Sequence, residues 1–227
     1  MDKAGMFSAL ADLILPVECG GCGVAGTRWC RRCRSRMSDA PVELSPRVDV
    51  GVATWALGRY RAPYATSVLA MKEHRRRDLA EPLGAALAGA LRTLAAWSEL
   101  PDVDRLHLIP APTRALSARR RGGDTVTAFA AAAATELGAG VRVTPLLHTV
   151  GSVRDSMGLD ARHRASNMSG AIVCRSLPAG LRRPDAGTDG FVLIDDVLTT
   201  GATAAESVRV LGAQGLRVHS VVVIAGA

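Results

Sequence analysis

Two adjacent carboxylates in the sequence lead directly into a short turn rich in threonine and glycine. The segment from residue 191 to residue 203 reads Phe-Val-Leu-Ile-Asp-Asp-Val-Leu-Thr-Thr-Gly-Ala-Thr. Its first four residues are typical of a buried strand, and a helical pattern from residue 202 to residue 213 follows the turn. Because ligands bind at the carboxyl ends of parallel strands, we expect Asp195 and Asp196 to line a binding site.

The turn after the carboxylates has the features of a site for one phosphate group. It offers successive backbone N–H groups, threonine hydroxyls and the positive end of a helix. A carboxylate repels phosphate, so we expect the acidic pair to contact the hydroxyl groups of a phosphorylated sugar instead. The alternative is an ordinary turn between a strand and a helix. The residues expected to bind the phosphate are Thr199, Thr200, Gly201, Ala202 and Thr203.

Four of the five cysteines form two Cys-x-x-Cys pairs near the start of the chain. The pairs are Cys19 with Cys22 and Cys30 with Cys33, and seven residues separate them. Two such pairs can supply four thiolates to one tetrahedral zinc ion, so we expect a structural zinc knuckle. The alternatives are redox-active pairs and cysteines that only pack in the interior. Cys174 stands alone in an apolar stretch and is expected to be a small buried residue.

Arginine dominates the basic residues, and the chain of 227 residues has a formal net charge of +7. Clusters of arginine suit anionic ligands, whether phosphates or nucleic acid. A solvated basic surface is the alternative for most of them. The clusters span residues 28–36, 59–77, 114–121 and 154–164.

The remaining sequence alternates apolar strands with helices, which predicts an α/β fold with a mostly parallel sheet flanked by helices. The predicted strands span residues 52–57, 106–109, 141–147, 171–174, 191–194 and 218–224. The predicted helices span residues 6–14, 64–71, 79–97, 124–137 and 202–213. Residues 35–50, with Pro41 and Pro46, are typical of a linker. We therefore divide the chain into residues 1–47, with the N-terminal helix, zinc knuckle and linker, and residues 48–227.

The hydropathy pattern predicts no insertion into a membrane. The longest uncharged runs, Pro82 to Leu91 and Thr125 to Thr135, fall short of the roughly 18 apolar residues that a spanning helix needs. The apolar stretch near the N-terminus is interrupted by Asp12 and has no basic leader beyond Lys3. We therefore expect no secretory signal and a cytoplasmic location.

Residues 191–203 resemble the ribose-5-phosphate signature of type I phosphoribosyltransferases at all thirteen positions. In that family the two acids contact the 2′ and 3′ hydroxyls of phosphoribosyl pyrophosphate (PRPP). The resemblance therefore implies Asp195 and Asp196 as catalytic residues, and it implies that the turn holds the 5′-phosphate. It also implies a type I phosphoribosyltransferase-like fold.

Further blocks of the sequence resemble the ComF family, which includes GntX-like proteins. The resemblance extends from Cys19 to Ile224. It departs from the family pattern at residues 121–124, which read Arg-Gly-Gly-Asp, and at Ser156, where a glutamine is usual. The blocks are the cysteine pairs, Tyr60 with Lys72, Ile109 to Pro112, Arg119 to Asp124, and Gly158 with Arg164 and Asn167.

The resemblance implies a protein that binds PRPP with Mg²⁺ and transfers the phosphoribosyl group to an unidentified nitrogen acceptor with release of pyrophosphate. In the wider fold, Arg114 and Arg121 would follow a strand end and face pyrophosphate oxygens, with a solvated helix start as the alternative. Arg154 and Arg164 would lie in a loop that closes over the substrate, with a plain surface loop as the alternative.

Two other classes of function stay open. One is a non-catalytic protein that senses PRPP, or handles single-stranded DNA together with DNA-uptake proteins, as the association of the ComF family with competence implies. The other is a purely structural adaptor. Low aromatic content, 4% of the residues, weakens the DNA hypothesis because bases stack on aromatic side chains.

Overall fold

The chain is described by a computed structural model, which covers residues 17–113, 123–150, 171–181 and 188–227. The strands are β1 (Val42–Glu43), β2 (Ala53–Arg59), β3 (Arg105–Pro110), β4 (Val141–Val143), β5 (Leu147–Thr149), β6 (Ile172–Cys174), β7 (Asp189–Leu198) and β8 (Val218–Gly226). The helices are α1 (Arg31–Arg36), α2 (Tyr64–Glu73), α3 (Ala80–Ala96), α4 (Thr125–Leu137) and α5 (Ala202–Gly212). Short 3₁₀ turns span Arg77–Leu79 and Ala179–Leu181.

Six strands form the main sheet, in the order β1-β2-β8-β7-β3-β4. The pairs from β2 to β4 are parallel, and β1 is antiparallel to β2. The central strands β7 and β8 carry uninterrupted apolar runs at Phe191–Ile194 and Val221–Ile224, and both runs are buried. Continuous apolar runs suit strands that are covered on both faces, so the prediction of an α/β fold with a mostly parallel, helix-flanked sheet is confirmed.

The two faces of the sheet pack against different helices. On one face, side chains such as Ile194 and Ile224 pack against α2, α3 and α4, and on the other Leu193 and Val223 pack against α5. Gly84 lets α3 approach α4 closely, because a Cβ atom at this position would lie 2.8 Å from the Phe129 carbonyl oxygen. Successive side chains along each strand point to opposite faces of the sheet, as the twofold period of β structure requires.

The prediction of one strand over residues 141–147 is wrong. Residues 141–143 pair with β3 in the main sheet, whereas residues 147–149 pair with β6 in a separate two-stranded antiparallel sheet. Pro145 lies between these strands, and proline has no N–H group for a sheet hydrogen bond. The segment 171–174 is a strand as predicted, but it lies outside the parallel sheet.

The predicted linker contains regular structure. It begins with the end of α1 and includes β1, which joins the edge of the main sheet. Further along, Val48 N–H donates a hydrogen bond of 2.9 Å to the Thr200 carbonyl. The division of the chain after residue 47 stays a prediction.

No helix within the described ranges is long and apolar enough to cross a membrane. The predicted helix over residues 6–14 lies outside the described residues.

Candidate functional site

The acidic pair lies near the carboxyl end of the central strand β7, beside a cation from α2. Asp196 Oδ2 lies 2.6 Å from Lys72 Nζ, and only 10% of the Asp196 side chain is exposed. Asp195 is half-buried, and its Oδ1 accepts a hydrogen bond of 2.8 Å from the Asp196 N–H. The apolar run of β7 is therefore followed, near the carboxyl end of the strand, by two carboxyl groups that each have a polar partner.

The electrostatics of the pair favour a retained proton. Burial, followed by the negative charge of Asp196, raises the pKa of Asp195 to about 8. The Asp196 N–H and the Lys72 ammonium act in the opposite direction, and the charge of Asp124 adds to the increase. Around neutral pH the site therefore offers both a protonated carboxyl, which donates a hydrogen bond, and acceptor oxygens. This combination suits the neighbouring hydroxyl groups of a sugar.

The end of β3 lies next to the acidic pair, where the resemblance to the wider fold implies a strand end. Pro110 pairs with Ile194, and the Ala111 N–H donates a hydrogen bond of 2.7 Å to the Ile194 carbonyl. The predicted strand end at residues 109–112 thus borders Asp195. The arginines expected to follow it, Arg114 and Arg121, lie outside the described residues, as do Arg154 and Arg164.

Asp124 is a site-adjacent residue for which the sequence predicted only the start of a helix and one end of the block from Arg119 to Asp124. Its Oδ1 accepts hydrogen bonds from Thr113 Oγ1 at 2.9 Å and from the Val126 N–H at 3.1 Å. Its Oδ2 accepts a hydrogen bond of 2.6 Å from Thr127 Oγ1. Asp124 therefore caps α4 and ties the start of this helix to the segment that follows β3. An aspartate at the first position before an apolar helical pattern is the signal that identifies such a cap.

The turn between β7 and α5 has a constrained backbone. Gly201 has a φ of 89° and a ψ of −6°, a left-handed conformation that favours glycine. A Cβ atom at this position would lie 2.8 Å from the Val48 carbonyl oxygen. The Ala202 N–H donates to Thr200 Oγ1 at 3.4 Å. Residues 46–48 thus support the turn from behind.

The start of α5 has no side-chain cap, because its N-cap residue is Gly201. The first N–H groups of a helix have no partner within the helix, and the helix dipole makes this end positive. Thr199 is exposed and Thr200 is half-buried. The predicted phosphate-binding residues thus form one continuous segment, which consists of the turn at residues 199–201 and the first two residues of α5. It is separated from the acidic pair by two residues and has the donors that an anion requires.

The four cysteines of the two pairs form a single cluster, so the prediction that they converge is confirmed. All four sulfur atoms lie within 4.8 Å of one another, and Cys22 Sγ lies 3.6 Å from Cys30 Sγ. Backbone N–H groups donate to two of these sulfurs, from Cys30 to Cys19 Sγ at 3.3 Å and from Cys33 to Cys30 Sγ at 3.4 Å. Four sulfur donors at this separation can hold a metal ion such as zinc. We call residues 19–33 the Cys knuckle.

The metal-free thiols differ in acidity. Burial raises the pKa of Cys19, but N–H groups of Cys30, Gly21 and Cys22 outweigh it and lower this pKa to about 6. Burial and the neighbouring thiols raise the pKa of Cys33 instead. One sulfur is therefore ready to bind a cation, and a bound cation would favour loss of the protons from the others. This chemistry fits zinc.

No model of a known protein family matches this chain, and comparison with curated proteins gives no significant match.

Proposed function

We propose that this chain is a phosphoribosyltransferase-like protein of the ComF family, with a type I phosphoribosyltransferase-like fold. It binds PRPP with Mg²⁺ and transfers the phosphoribosyl group to a nitrogen acceptor. The observation that carries this proposal is the position of Asp195 and Asp196 between the end of β3 and the uncapped turn of residues 199–203. Hydroxyl-binding and phosphate-binding groups then lie in the order that a ribose 5-phosphate requires.

In the proposed complex, the 5′-phosphate occupies the turn and accepts hydrogen bonds from its N–H and hydroxyl groups. The ribose extends toward β7, where Asp195 and Asp196 contact the 2′ and 3′ hydroxyls. Two carboxylates next to a phosphate would weaken its binding, but Asp195 retains its proton around neutral pH, and Lys72 lies 2.6 Å from Asp196 and offsets its charge. Lys72 therefore makes the acidic pair compatible with a negatively charged ligand in the adjacent turn.

The proposed reaction is a substitution at ribose C1. The bond from C1 to the pyrophosphate oxygen breaks, and its electron pair leaves with pyrophosphate. A lone pair of the acceptor nitrogen forms the new bond to C1, and the nitrogen then releases a proton to solvent water. Positive charge develops on C1 and the ring oxygen, so the negative charge of Asp196 stabilises the transition state. Magnesium enters with PRPP, as part of the substrate complex, and neutralises the leaving group.

The Cys knuckle has a structural part in this proposal. Its four thiols would hold zinc in a closed site with no position left for a substrate. Zinc would supply a cross-link within the knuckle, and the reaction would proceed at the edge of the sheet.

Calorimetric titration of the zinc-loaded protein with PRPP and Mg²⁺ tests the donor site. We expect binding by the wild type and its loss in Asp195→Asn/Asp196→Asn. The matched control is Asp102→Asn/Asp104→Asn, which removes two exposed carboxylates elsewhere and should bind as the wild type does. No binding by the wild type would overturn the proposed function. Binding without release of pyrophosphate for any nitrogen acceptor would leave a PRPP sensor and exclude the transferase.

A second candidate function, the binding of single-stranded DNA alone or with DNA-uptake partners, is supported by the charge on the Cys knuckle and α1. No acidic residue occurs between Glu18 and Asp39, so positive charge is concentrated here. Such a surface favours a polyanion. The exposed arginines are Arg28, Arg31, Arg32, Arg34 and Arg36.

Fluorescence anisotropy with a labelled single-stranded oligonucleotide tests this second candidate. We expect an affinity that falls steeply with salt and that is weakened in Arg31→Gln/Arg32→Gln. The matched control is Arg142→Gln/Arg217→Gln, which removes two exposed arginines outside the knuckle. Equal binding by the two variants would exclude the knuckle as the DNA-binding surface.

A further inference from the structure

We propose that Lys72 is a positioning residue of the sugar-phosphate site, which orients Asp196 and admits a polyanionic ligand beside the two carboxylates. This inference rests on the proposed function and deepens it. The contact that carries it joins Lys72 Nζ and Asp196 Oδ2 over 2.6 Å. The Lys72 side chain is 25% exposed, so one part of it faces solvent while its ammonium group bonds the acid.

The contact determines which part of Asp196 is available to a ligand. A carboxylate has two oxygen atoms, and Lys72 bonds one of them, Oδ2. The other oxygen, Oδ1, is left to accept a hydrogen bond from a sugar hydroxyl. A charge-assisted hydrogen bond of this length restricts the carboxylate to one orientation. Lys72 therefore holds Asp196 in an orientation in which Oδ1 can accept a hydrogen bond from one sugar hydroxyl.

Charge gives Lys72 a second effect on the same site. Among the described residues whose charges act most strongly on Asp195, Asp196 and Asp124 are anions and Lys72 is a cation. PRPP carries several negative charges, so the negative charges of Asp196 and Asp124 would repel it. Lys72 lowers this repulsion without occupying the phosphate-binding turn.

The composition of the chain shows that a lysine here is unusual. Its 28 basic residues include two lysines, Lys3 and Lys72, and the other basic residues are arginines. A lysine ammonium is a compact point charge, whereas an arginine guanidinium is a broad planar fork. The compact group suits a contact with a single carboxylate oxygen in a confined place.

Helix α2, which carries Lys72, is held on both sides of this residue by the Cys knuckle and its flank. Thr66 Oγ1 donates a hydrogen bond to the Gly21 carbonyl near the start of the helix. Beyond its end, Arg76 donates to the Glu18 carbonyl at 2.9 Å and to the Arg28 carbonyl at 3.3 Å. The knuckle therefore supports the helix that delivers the ammonium group to Asp196.

The first test measures PRPP affinity in four proteins: the wild type, Lys72→Met, Lys72→Arg and the control Arg217→Met. Arg217 is exposed and precedes β8, at the edge of the sheet opposite to the acidic pair. We expect Lys72→Met to weaken binding by about tenfold to a hundredfold, since a charged hydrogen bond is lost. Lys72→Arg should recover part of the affinity, and Arg217→Met should lose less than about threefold.

A double-mutant cycle shows whether Lys72 acts through Asp196. If it does, Lys72→Met should weaken binding much less in an Asp196→Asn background than in the wild type. Equal effects in the two backgrounds would overturn the positioning role.

Amine labelling of the wild type keeps the inference testable if Lys72→Met does not fold. The two lysines are resolved by peptide mass spectrometry. Magnesium and PRPP should slow modification of Lys72 while Lys3 serves as the internal reference. An unchanged Lys72 rate in a protein that binds PRPP would overturn this inference but leave the proposed function intact. No PRPP binding by the wild type would overturn both.

Discussion

Gly201 and Val48 approach so closely that the turn after β7 has no room for a side chain at position 201. A Cβ atom on Gly201 would lie 2.8 Å from the Val48 carbonyl oxygen, and the backbone φ of Gly201 is 89°. The neighbouring Thr200 carbonyl also accepts a hydrogen bond of 2.9 Å from the Val48 N–H. The shape of the candidate phosphate site is thus determined by a segment more than 150 residues away in the chain.

Gly201→Ala should lower the free energy of unfolding by about 1–3 kcal/mol and weaken PRPP binding, because both the φ angle and the contact oppose a Cβ atom. Urea denaturation and calorimetry measure the two effects. Gly215→Ala is the matched control, since Gly215 has a φ of 79° but no atom within 4 Å of its Cβ position. Equal losses of stability in the two variants would show that the contact with Val48 contributes nothing.

The four-cysteine cluster should bind one zinc ion per chain, as measured by elemental analysis of purified protein. Removal of zinc by a chelator should lower the melting temperature by about 2–4 °C for each kcal/mol of binding free energy lost. Cys22→Ser should reproduce this loss, because its sulfur belongs to the cluster.

Cys174→Ser serves as the control for the zinc prediction, because Cys174 lies in β6 outside the cluster. Its zinc content should equal that of the wild type. Protein that contains no zinc, and whose four clustered cysteines all react with a thiol reagent, would contradict the assignment.

Local patterns predicted the parts of the site that lie close together in the chain. The acidic pair and the turn occupy residues 195–203, and the two cysteine pairs occupy residues 19–33. Buried strands followed by helix signals also predicted β7, β8 and α5, because continuous valine and isoleucine runs suit central parallel strands. In each case the residue types and their spacing carry the information.

Contacts between segments that are distant in the chain could not be predicted from local patterns. Nothing in the spacing relates Lys72 to Asp196, because the contact requires α2 to cross the end of β7. The contact between Gly201 and Val48 also joins distant segments, so spacing in the sequence does not reveal it. Pro145, in contrast, could have been recognised in the sequence, because proline interrupts a ladder of sheet hydrogen bonds. It explains why the strand predicted over residues 141–147 is divided.

Asp189 should stabilise the fold at the amino end of β7. Arg105 donates hydrogen bonds of 2.7 and 2.9 Å to its carboxylate, and His107 Nε2 lies 3.1 Å from Asp189 Oδ1. Asp189→Asn should lower the free energy of unfolding by about 1.5–3 kcal/mol. The control is Glu136→Gln, which breaks an exposed ion pair with Arg92 and should cost less than about 1 kcal/mol.

The same group gives an acid-dependent stability. Hydrogen bonds from Arg105, and then from His107, hold the pKa of Asp189 at about 2 against the effect of burial, below the ordinary value of 3.8. The stabilisation is therefore present above pH 3.8 and is lost as the pH falls toward about 2. The difference between the wild type and Asp189→Asn should shrink over this range. A difference that stays constant in acid would contradict the assigned contacts.

The contribution of Asp195 to the free energy of unfolding should depend on pH in the direction opposite to that of Asp189. Burial and the charge of Asp196 raise its pKa from 3.8 to about 8, so the folded protein binds a proton that the unfolded chain has released. The free energy of unfolding of the wild type should therefore fall, relative to that of Asp195→Asn, as the pH rises from 3.8 to about 8. Chemical denaturation at a series of pH values measures this difference.

A second variant separates the two causes of the raised pKa of Asp195. Asp196→Asn removes the neighbouring negative charge and leaves the burial of Asp195 in place. It also frees Lys72, whose positive charge favours ionised Asp195. The dependence on pH should therefore be smaller in Asp196→Asn than in the wild type. An equal dependence in both proteins would mean that burial alone raises the pKa of Asp195 and that the charge of Asp196 contributes nothing.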